Sequence, residues 1–408
     1  MCIIMTSIND LNKPYIFNST SIIRDNLPWT PEHIAVLLKK KKLPFRLGKR
    51  IIDSGIQFEK DCHHIQATVE DFIQWNNNND QILVDNNEFS NYSNKDYFAY
   101  ADYMHFRELF ADDDSFLKLI DWSQIGLRRN SIDSTLWIGS QGAYTPCHFD
   151  TYGINFVLQV FGRKRWLLFS PKTAISKMQT RIPYEESSVY ANINFVSTNR
   201  QIFESIKDVD TIEIILKPGD VLFIPKHWWH FVYSLDKTTI SLNTWLEQPD
   251  DSVERTKEMI SRYLISSIMT AHMYEPTQWL NHNEILTDNF TNLTILSNLL
   301  QQQQQQERDE NDIHDPAEPP IKRCCVENVQ IMPAHHIGQI SLEEKPFCQT
   351  MHYQQCKNDE SSKEEKQLLQ EPDEFDFLKN IVRAVTSSDT IDFIYKKLIE
   401  QSSMHAKP

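Results

Sequence analysis

Between about Thr135 and Trp245 the apolar residues fall in short runs, TLWIG, NFVLQVF, RWLLFS, IEIIL, VLFIP, HFVYSL and TISLNTW, separated by Gly, Pro and Asp. Runs this short, rich in β-branched and aromatic residues, read as strands, and a series of them predicts a sandwich or barrel, the jelly roll being one form. Upstream, Trp29, Pro31 and Glu32 open a helical pattern through Ala35, Val36, Leu37 and Leu38 that runs into Lys39 to Lys42. Four lysines there suit a helix end, where the macrodipole favours cations, and also match a nuclear-import patch. Beyond residue 250, Val253, Met259, Ile260, Tyr263, Leu264 and Ile268 recur at helical spacing and predict a buried helical stripe within 251–299.

The pattern lapses at the glutamine run Gln301 to Gln306, and up to about Asp373 charges cluster and prolines stand at 316, 319 and 320. From residue 301 onward there are twenty acidic and twelve basic side chains, so this part carries −8 of the whole charge of −15. Such a segment buries too little apolar surface to offset its ordering entropy, which predicts a disordered linker over 301–373. Helical spacing returns in Phe375, Phe377, Leu378, Ile381, Val382 and Val385, and again in Ile391, Phe393, Ile394, Leu398 and Ile399. These are expected to be two short amphipathic helices within 374–408 that pack back onto the main domain, since short helices alone are marginal in water. The chain thus divides into a mixed N-terminal part (1–90), a β core (91–250), a helical extension (251–300), the linker and the terminal helices.

Composition narrows the function classes. With 40% hydrophobic and 24% charged residues over 408 positions the chain is of ordinary globular type. A net charge of −15 makes duplex DNA a poor partner. No apolar run reaches the ~18 residues of a membrane helix, and the opening MCIIMTSIND lacks the features of a secretory signal. The expectation is a cytoplasmic protein with no membrane partner, nuclear entry remaining open through the lysines. Seven cysteines without paired spacing predict reduced thiols rather than a disulfide framework.

The densest chemistry lies in Thr145-Pro-Cys-His-Phe-Asp150 and in Gly219-Asp-Val-Leu-Phe-Ile-Pro followed by Trp228-Trp-His230. His148 and Asp150 are two apart, so on a strand both side chains leave one face and can share a metal ion. His230, after a strand, a proline and a turn, is placed to be the third ligand. Two imidazoles and one carboxylate leave three adjacent positions open, which suits Fe(II) better than zinc. H-x-D tripeptides are common by chance, and the conjunction gives this one its weight. Phe156 to Phe161, Gly162-Arg163 and Lys164 to Phe169 read as a hairpin that returns past the H-x-D strand and brings Lys164 near the metal. For Trp228 and Trp229, packing is the expected role of at least one.

The motifs T-P-C-H-F-D, N-F-x-L-Q-x-x-G-R-K-R-W-x-L-F-x-P, P-G-D-V-L-F-I-P-K-H-W-W-H and I-S-L-N-T-W closely resemble the JmjC family of Fe(II)- and 2-oxoglutarate-dependent oxygenases over roughly residues 90 to 247. The resemblance implies a double-stranded β-helix, the cupin-like jelly roll, with flanking helices. It implies Fe(II) held by His148, Asp150 and His230. It places Lys164 and Thr145 on the distal carboxylate of 2-oxoglutarate, with Asn155, Asn243 and Tyr100 nearby and O2 as the second cosubstrate. The pattern is most similar to small hydroxylase-type members acting on a protein, or an RNA. The stretch D-T-Y-G-I-N, residues 150 to 155, is one residue longer than in the family's asparaginyl hydroxylase. LPFRLGKR and YFAYADY (97–103) resemble a branch linked to a small heat-shock protein and the stress response. That branch implies such a partner, and an alternative in which the fold serves as an interaction scaffold without catalysis. Demethylation of chromatin is less favoured, since no zinc-finger reader is present.

Overall fold

A computed structural model describes residues 12–23, 29–52, 55–78, 87–110, 119–180, 188–196, 206, 208–248, 250–271, 287–312, 331–333, 336–337 and 382–404. In chain order the strands are β1 (Tyr15–Asn18), β2 (Leu43–Lys49), β3 (His63–Ala67), β4 (Tyr97–His105), β5 (Thr135–Ser140), β6 (Tyr144–Asp150), β7 (Ile154–Phe161) and β8 (Lys164–Phe169). They continue with β9 (Gln179–Thr180), β10 (Ser188–Ala191), β11 (Thr211–Leu216), β12 (Asp220–Ile224), β13 (Trp229–Ser234), β14 (Thr238–Leu246), β15 (Ile331–Pro333) and β16 (His336–Ile337). One sheet has the order β15-β1-β12-β7-β14-β5-β4-β2-β3, the other β16-β11-β8-β13-β6-β10-β9. This is the mainly β architecture that the short apolar runs predict, each of the seven runs forming a strand.

Alternation along the strands of the larger sheet assigns its two faces. Phe45, Leu47, Ile138, Phe156, Leu158, Phe223 and Leu242 point outward and pack with Ile34 and Leu38 of α1 (Pro31–Leu38) and Phe72 and Trp75 of α2 (Val69–Asn77). Val157, Leu222 and Ile224 point the other way, into a core shared with Trp166, Leu168, Ile212 and Ile214 of the smaller sheet. Both helices start where side chains can satisfy free backbone N–H groups: Thr30 caps α1 ahead of Pro31, and Thr68 with Asp71 closes a capping box on α2. Of the lysines after α1, Lys41 donates to the Glu108 and Leu109 carbonyls and Lys42 pairs with Glu88 at 2.7 Å.

The turn at Gly162-Arg163 is a corner between sheets and not a hairpin. β7 lies in the larger sheet between β12 and β14, whereas β8 pairs with β11 and β13 in the smaller one. Gly162 takes φ 63° there, and the Gln159 side chain donates to the Phe161, Gly162 and Ile240 carbonyls, serving groups that a hairpin ladder would have used. A run of residues with hairpin spacing cannot show which sheet the second strand joins.

The helical extension is α4 (Asp251–Ala271), preceded in the chain by the short α3 (Phe106–Leu109) and followed by α5 (Asn289–Asp312) and α6 (Ser388–Met404). α5 continues through the glutamine run, past the linker boundary expected at 301, because glutamine is a good helix former. The rest of the expected linker, apart from β15 and β16, lies outside the described residues. Of the two expected terminal helices, the second is α6, and the described part of the first is one turn at 382–385. Ile391 of α6 packs on Met259, Ile260 and Leu296, and Lys257 pairs with Asp392 at 3.0 Å, so α6 docks on α4 and α5. No helix among the described residues is long and apolar enough to cross a membrane. Cys62 and Cys147 are free thiols.

Close approach of β2 and β4 rests on Gly48, where a Cβ would stand inside the Phe98 ring. Gly48→Ala is expected to cost about 1–3 kcal/mol through overpacking. Chemical denaturation checks this; an unchanged midpoint would mean that the two strands separate easily.

Candidate metal and cosubstrate site

β6 and β13 are neighbours in the smaller sheet, and their register sets His148 directly opposite His230. The same pairing matches Thr145 with Val232, so three steps along β6 span two along β13. This β-bulge resets the alternation. Thr145 and His148 consequently share the cavity face, while Tyr144 and Cys147 join an apolar cluster with Phe169 and Phe231. Asp150, two residues after His148, lies on the cavity face as well.

The imidazole rings of His148 and His230 are 4.1 Å apart, centroid to centroid. Each ring uses its Nδ1 on a carbonyl oxygen, His148 on Pro146 at 2.8 Å and His230 on Trp228 at 2.9 Å. A carbonyl only accepts, so Nδ1 carries the proton and Nε2 keeps its lone pair. Burial and the neighbouring His230 pull the His148 pKa far down, to about 3, so the ring is neutral and available as a ligand. Asp150 Oδ1 is 3.7 Å from His148 Nε2. Its Oδ2 accepts from Trp245 Nε1 at 3.0 Å and from Asn155 Nδ2 at 3.4 Å. The three ligand atoms lie within 4.8 Å of one another, the one such cluster among the described residues. Imidazoles oriented through Nδ1, a neutral His148 ring and a carboxylate with one oxygen spared are what a divalent metal needs from its ligands.

About 610 Å³ of cavity opens beside this cluster, lined by His148, Asp150, His230, Thr145, Lys164, Asn155, Asn243 and Tyr100. Every site residue singled out in the sequence therefore reaches one space. Lys164 is 2% exposed, and its Nζ donates to Ser241 Oγ at 2.7 Å and to Tyr100 OH at 3.2 Å. No carboxylate pairs with it among the described residues. Burial lowers its pKa to about 7, opposed by the charge of Asp102. A cation buried against hydroxyls alone is costly, and a bound carboxylate would supply its missing counter-charge. Asn243 donates to Asn155 Oδ1 at 2.9 Å and accepts from Trp137 Nε1 at 2.8 Å, which connects the lysine end of the cavity to Asp150.

The sequence reading missed Ser241, Trp245 and Trp137. The first two had a signal: Ser241, Asn243 and Trp245 alternate along β14, so picking Asn243 for the cavity implies the other two. Trp137 had none, since its partner lies across a strand pairing. Trp228 and Trp229 both pack rather than line the cavity, Trp229 against Phe149 and Trp228 beside Val157 and Trp166. The longer D-T-Y-G-I-N loop is fastened by Asp251, which accepts from Gly153 N and Lys226 Nζ, and by the His227 ring on the Thr151 carbonyl at 2.8 Å. Asn155 consequently stays within reach of Asp150.

Residues 46–252 match the family model described as a cupin-like domain. HSPB1-associated protein 1 of Rattus norvegicus is 41% identical over 280 residues, covering 68% of this chain and 58% of the rat protein. The chain thus spans less than two thirds of the length of this relative. JmjC domain-containing protein D of Dictyostelium discoideum is 34% identical over 114 residues, 27% of this chain and 24% of its own. Arginine-specific demethylase JMJ20 of Arabidopsis thaliana is 30% identical over 115 residues, 27% of this chain and 23% of its own. The matched span holds most strands of both sheets and the His-Asp-His cluster, and the chain belongs to the cupin-like, JmjC-type family.

Proposed function

We propose that the protein is an Fe(II)- and 2-oxoglutarate-dependent oxygenase that hydroxylates a protein substrate and associates with a small heat-shock protein. One observation carries the catalytic part: a three-ligand cluster and a buried lysine without a carboxylate face the same cavity. A dicarboxylate with an α-keto acid at one end matches both, its distal carboxylate meeting Lys164 and its other end the metal. His148, Asp150 and His230 would hold Fe(II), the ion that a two-histidine, one-carboxylate set with open positions favours. When bound, iron, 2-oxoglutarate and O2 supply the oxidising chemistry, 2-oxoglutarate leaving as succinate and CO2.

The protein's own part is binding and orientation. Lys164 neutralises the distal carboxylate, and the Tyr100 and Thr145 hydroxyls add donors on the same side. Trp245 and Asn155 hold Asp150 Oδ2 so that Oδ1 faces the histidines. Trp137, Val157 and Trp166 give the cavity apolar walls that limit water. The name of the rat relative states an association with HSPB1, and its 41% identity over most of this chain supports the same kind of partner here. That observation also favours the second reading, a JmjC-type scaffold that binds the heat-shock protein and needs no catalysis.

Replacing His148 or Asp150 by Ala is expected to abolish Fe(II) binding and succinate formation from 2-oxoglutarate while leaving the melting temperature of the metal-free protein nearly unchanged. Turnover that survives both changes would sink the oxygenase reading. Lys164→Ala is expected to weaken 2-oxoglutarate binding by about 2 kcal/mol or more, with metal affinity retained; equal cosubstrate affinity would make the lysine a bystander. Because Lys164 titrates near pH 7 when the cavity lacks an anion, and an anion raises that value, binding takes up a proton above pH 7. Affinity for 2-oxoglutarate should therefore be level below pH 7 and fall as pH rises beyond it. Calorimetry in buffers of different protonation enthalpy reads the uptake, and Lys164→Ala should erase it. For the partner, co-elution of a purified small heat-shock protein with the full chain should persist in His148→Ala; dependence on His148 would locate the partner at the cavity.

A further inference from the structure

LPFRLGKR and YFAYADY, far apart in sequence, meet in the β2–β4 pairing, where Arg46 stands directly opposite Tyr100. Phe45 and Leu47 serve the outer core, which leaves Arg46 facing inward at 1% exposure. Its Nε donates to Asp102 at 2.7 Å, its Nη2 lies 3.9 Å from Glu59, and both carboxylates are themselves buried. A buried arginine with two carboxylates is weak evidence for stability as such, since desolvation offsets most of the attraction. What the group touches is more telling.

Arg46 Cζ lies 5.4 Å from the centre of the Tyr100 ring, whose hydroxyl accepts from Lys164. The same guanidinium donates through Nη2 to the Tyr144 carbonyl at 3.1 Å, in the peptide that leads into Thr145. Glu59 accepts from Tyr103, another cavity-lining side chain, at 3.4 Å. Arg46 therefore stands behind both hydroxyls assigned to the distal carboxylate. A planar fork can hold the Asp102 carboxylate and the Tyr144 carbonyl while its face meets an aromatic ring; an ammonium cannot do all three.

We infer that Arg46, clamped by Asp102 and Glu59, is a positioning residue for cosubstrate recognition: it sets where the Tyr100 and Thr145 hydroxyls stand relative to Lys164. This rests on the 2-oxoglutarate reading above. Arg46 does not touch the cosubstrate and acts through β4 and β6.

Two variants of the full chain test it. Arg46→Lys keeps the charge and loses the fork. The triple variant Arg46→Met, Asp102→Leu, Glu59→Gln removes the buried charges together, a replacement that buried ion clusters often tolerate in stability. Each is loaded with Mn(II) without O2, its melting temperature is recorded, and binding of Mn(II), of 2-oxoglutarate and of oxalate is measured. Oxalate can chelate the metal but has no distal carboxylate. The expected result is a loss of 2-oxoglutarate affinity of roughly 10- to 100-fold, as for other supporting residues behind a ligand set, with Mn(II) and oxalate affinities kept. A folded variant of either kind with wild-type 2-oxoglutarate affinity overturns the inference. So does parallel loss of all three affinities, which would mark the cluster as holding the fold alone. A wild-type chain that binds Mn(II) and oxalate but no 2-oxoglutarate overturns the functional reading itself, before any variant is compared.

Discussion

The pairing of β6 with β13 is the constraint on which the site depends. It sets two histidines, 82 positions apart in the chain, opposite each other, with neither ring free to turn because each Nδ1 is committed to a backbone carbonyl. A slip of one residue would turn every side chain on one strand to the other face and dismantle the cluster. The apolar side chains around it make such a slip costly. Were β13 to slip, Trp229 and Phe231 would leave one core and Val232 the other. Hydrophobic burial thus holds the register, and the register holds the His-Asp-His cluster.

Electrostatics divides the cavity into two ends. At the His-Asp-His end, burial and the neighbouring His230 keep the His148 ring neutral, which suits a cation. At the far end Lys164 is buried with hydroxyl partners only, which suits an anion. From Asp150 a chain of hydrogen bonds runs through Asn155 and Asn243 to Trp137, whose ring lies 5.8 Å from that of Tyr100 beside Lys164. Behind the lysine end, Asp102 and Glu59 are engaged by Arg46, and Asp102 reaches Lys164 only through its field, without direct contact.

Relatives share this chain to different depths. The matches to JmjC proteins run over 114 and 115 residues, whereas the match to HSPB1-associated protein 1 extends over 280. α6 docks on α4 and α5 through Ile391 and the Lys257–Asp392 pair. The cavity and the docked helices occupy different parts of the chain, so the two proposed roles do not compete for the same residues.

How much of this was readable beforehand follows from which interactions are local. Strand runs, the α1 and α4 patterns and the two-residue spacing of His148 and Asp150 depend on neighbours along the chain, and sequence alone determined them. The strand, proline and turn before His230 and the run through Lys164 brought in those two, and the family motifs extended the reading to Asn155, Asn243, Thr145 and Tyr100. Other features depend on pairing between distant segments. The β6 bulge that turns Thr145 inward, the passage of β8 into the second sheet, the indole of Trp137 on Asn243 and the seat of Arg46 behind Tyr100 have no local signature. Each is decided by which strand lies alongside which, a competition among long-range packings that only the folded chain resolves. The sequence by itself determined the chemical groups and the strands that carry them; the tertiary structure decided which groups face one another, because register and sheet partner are properties of pairs of segments and not of any one.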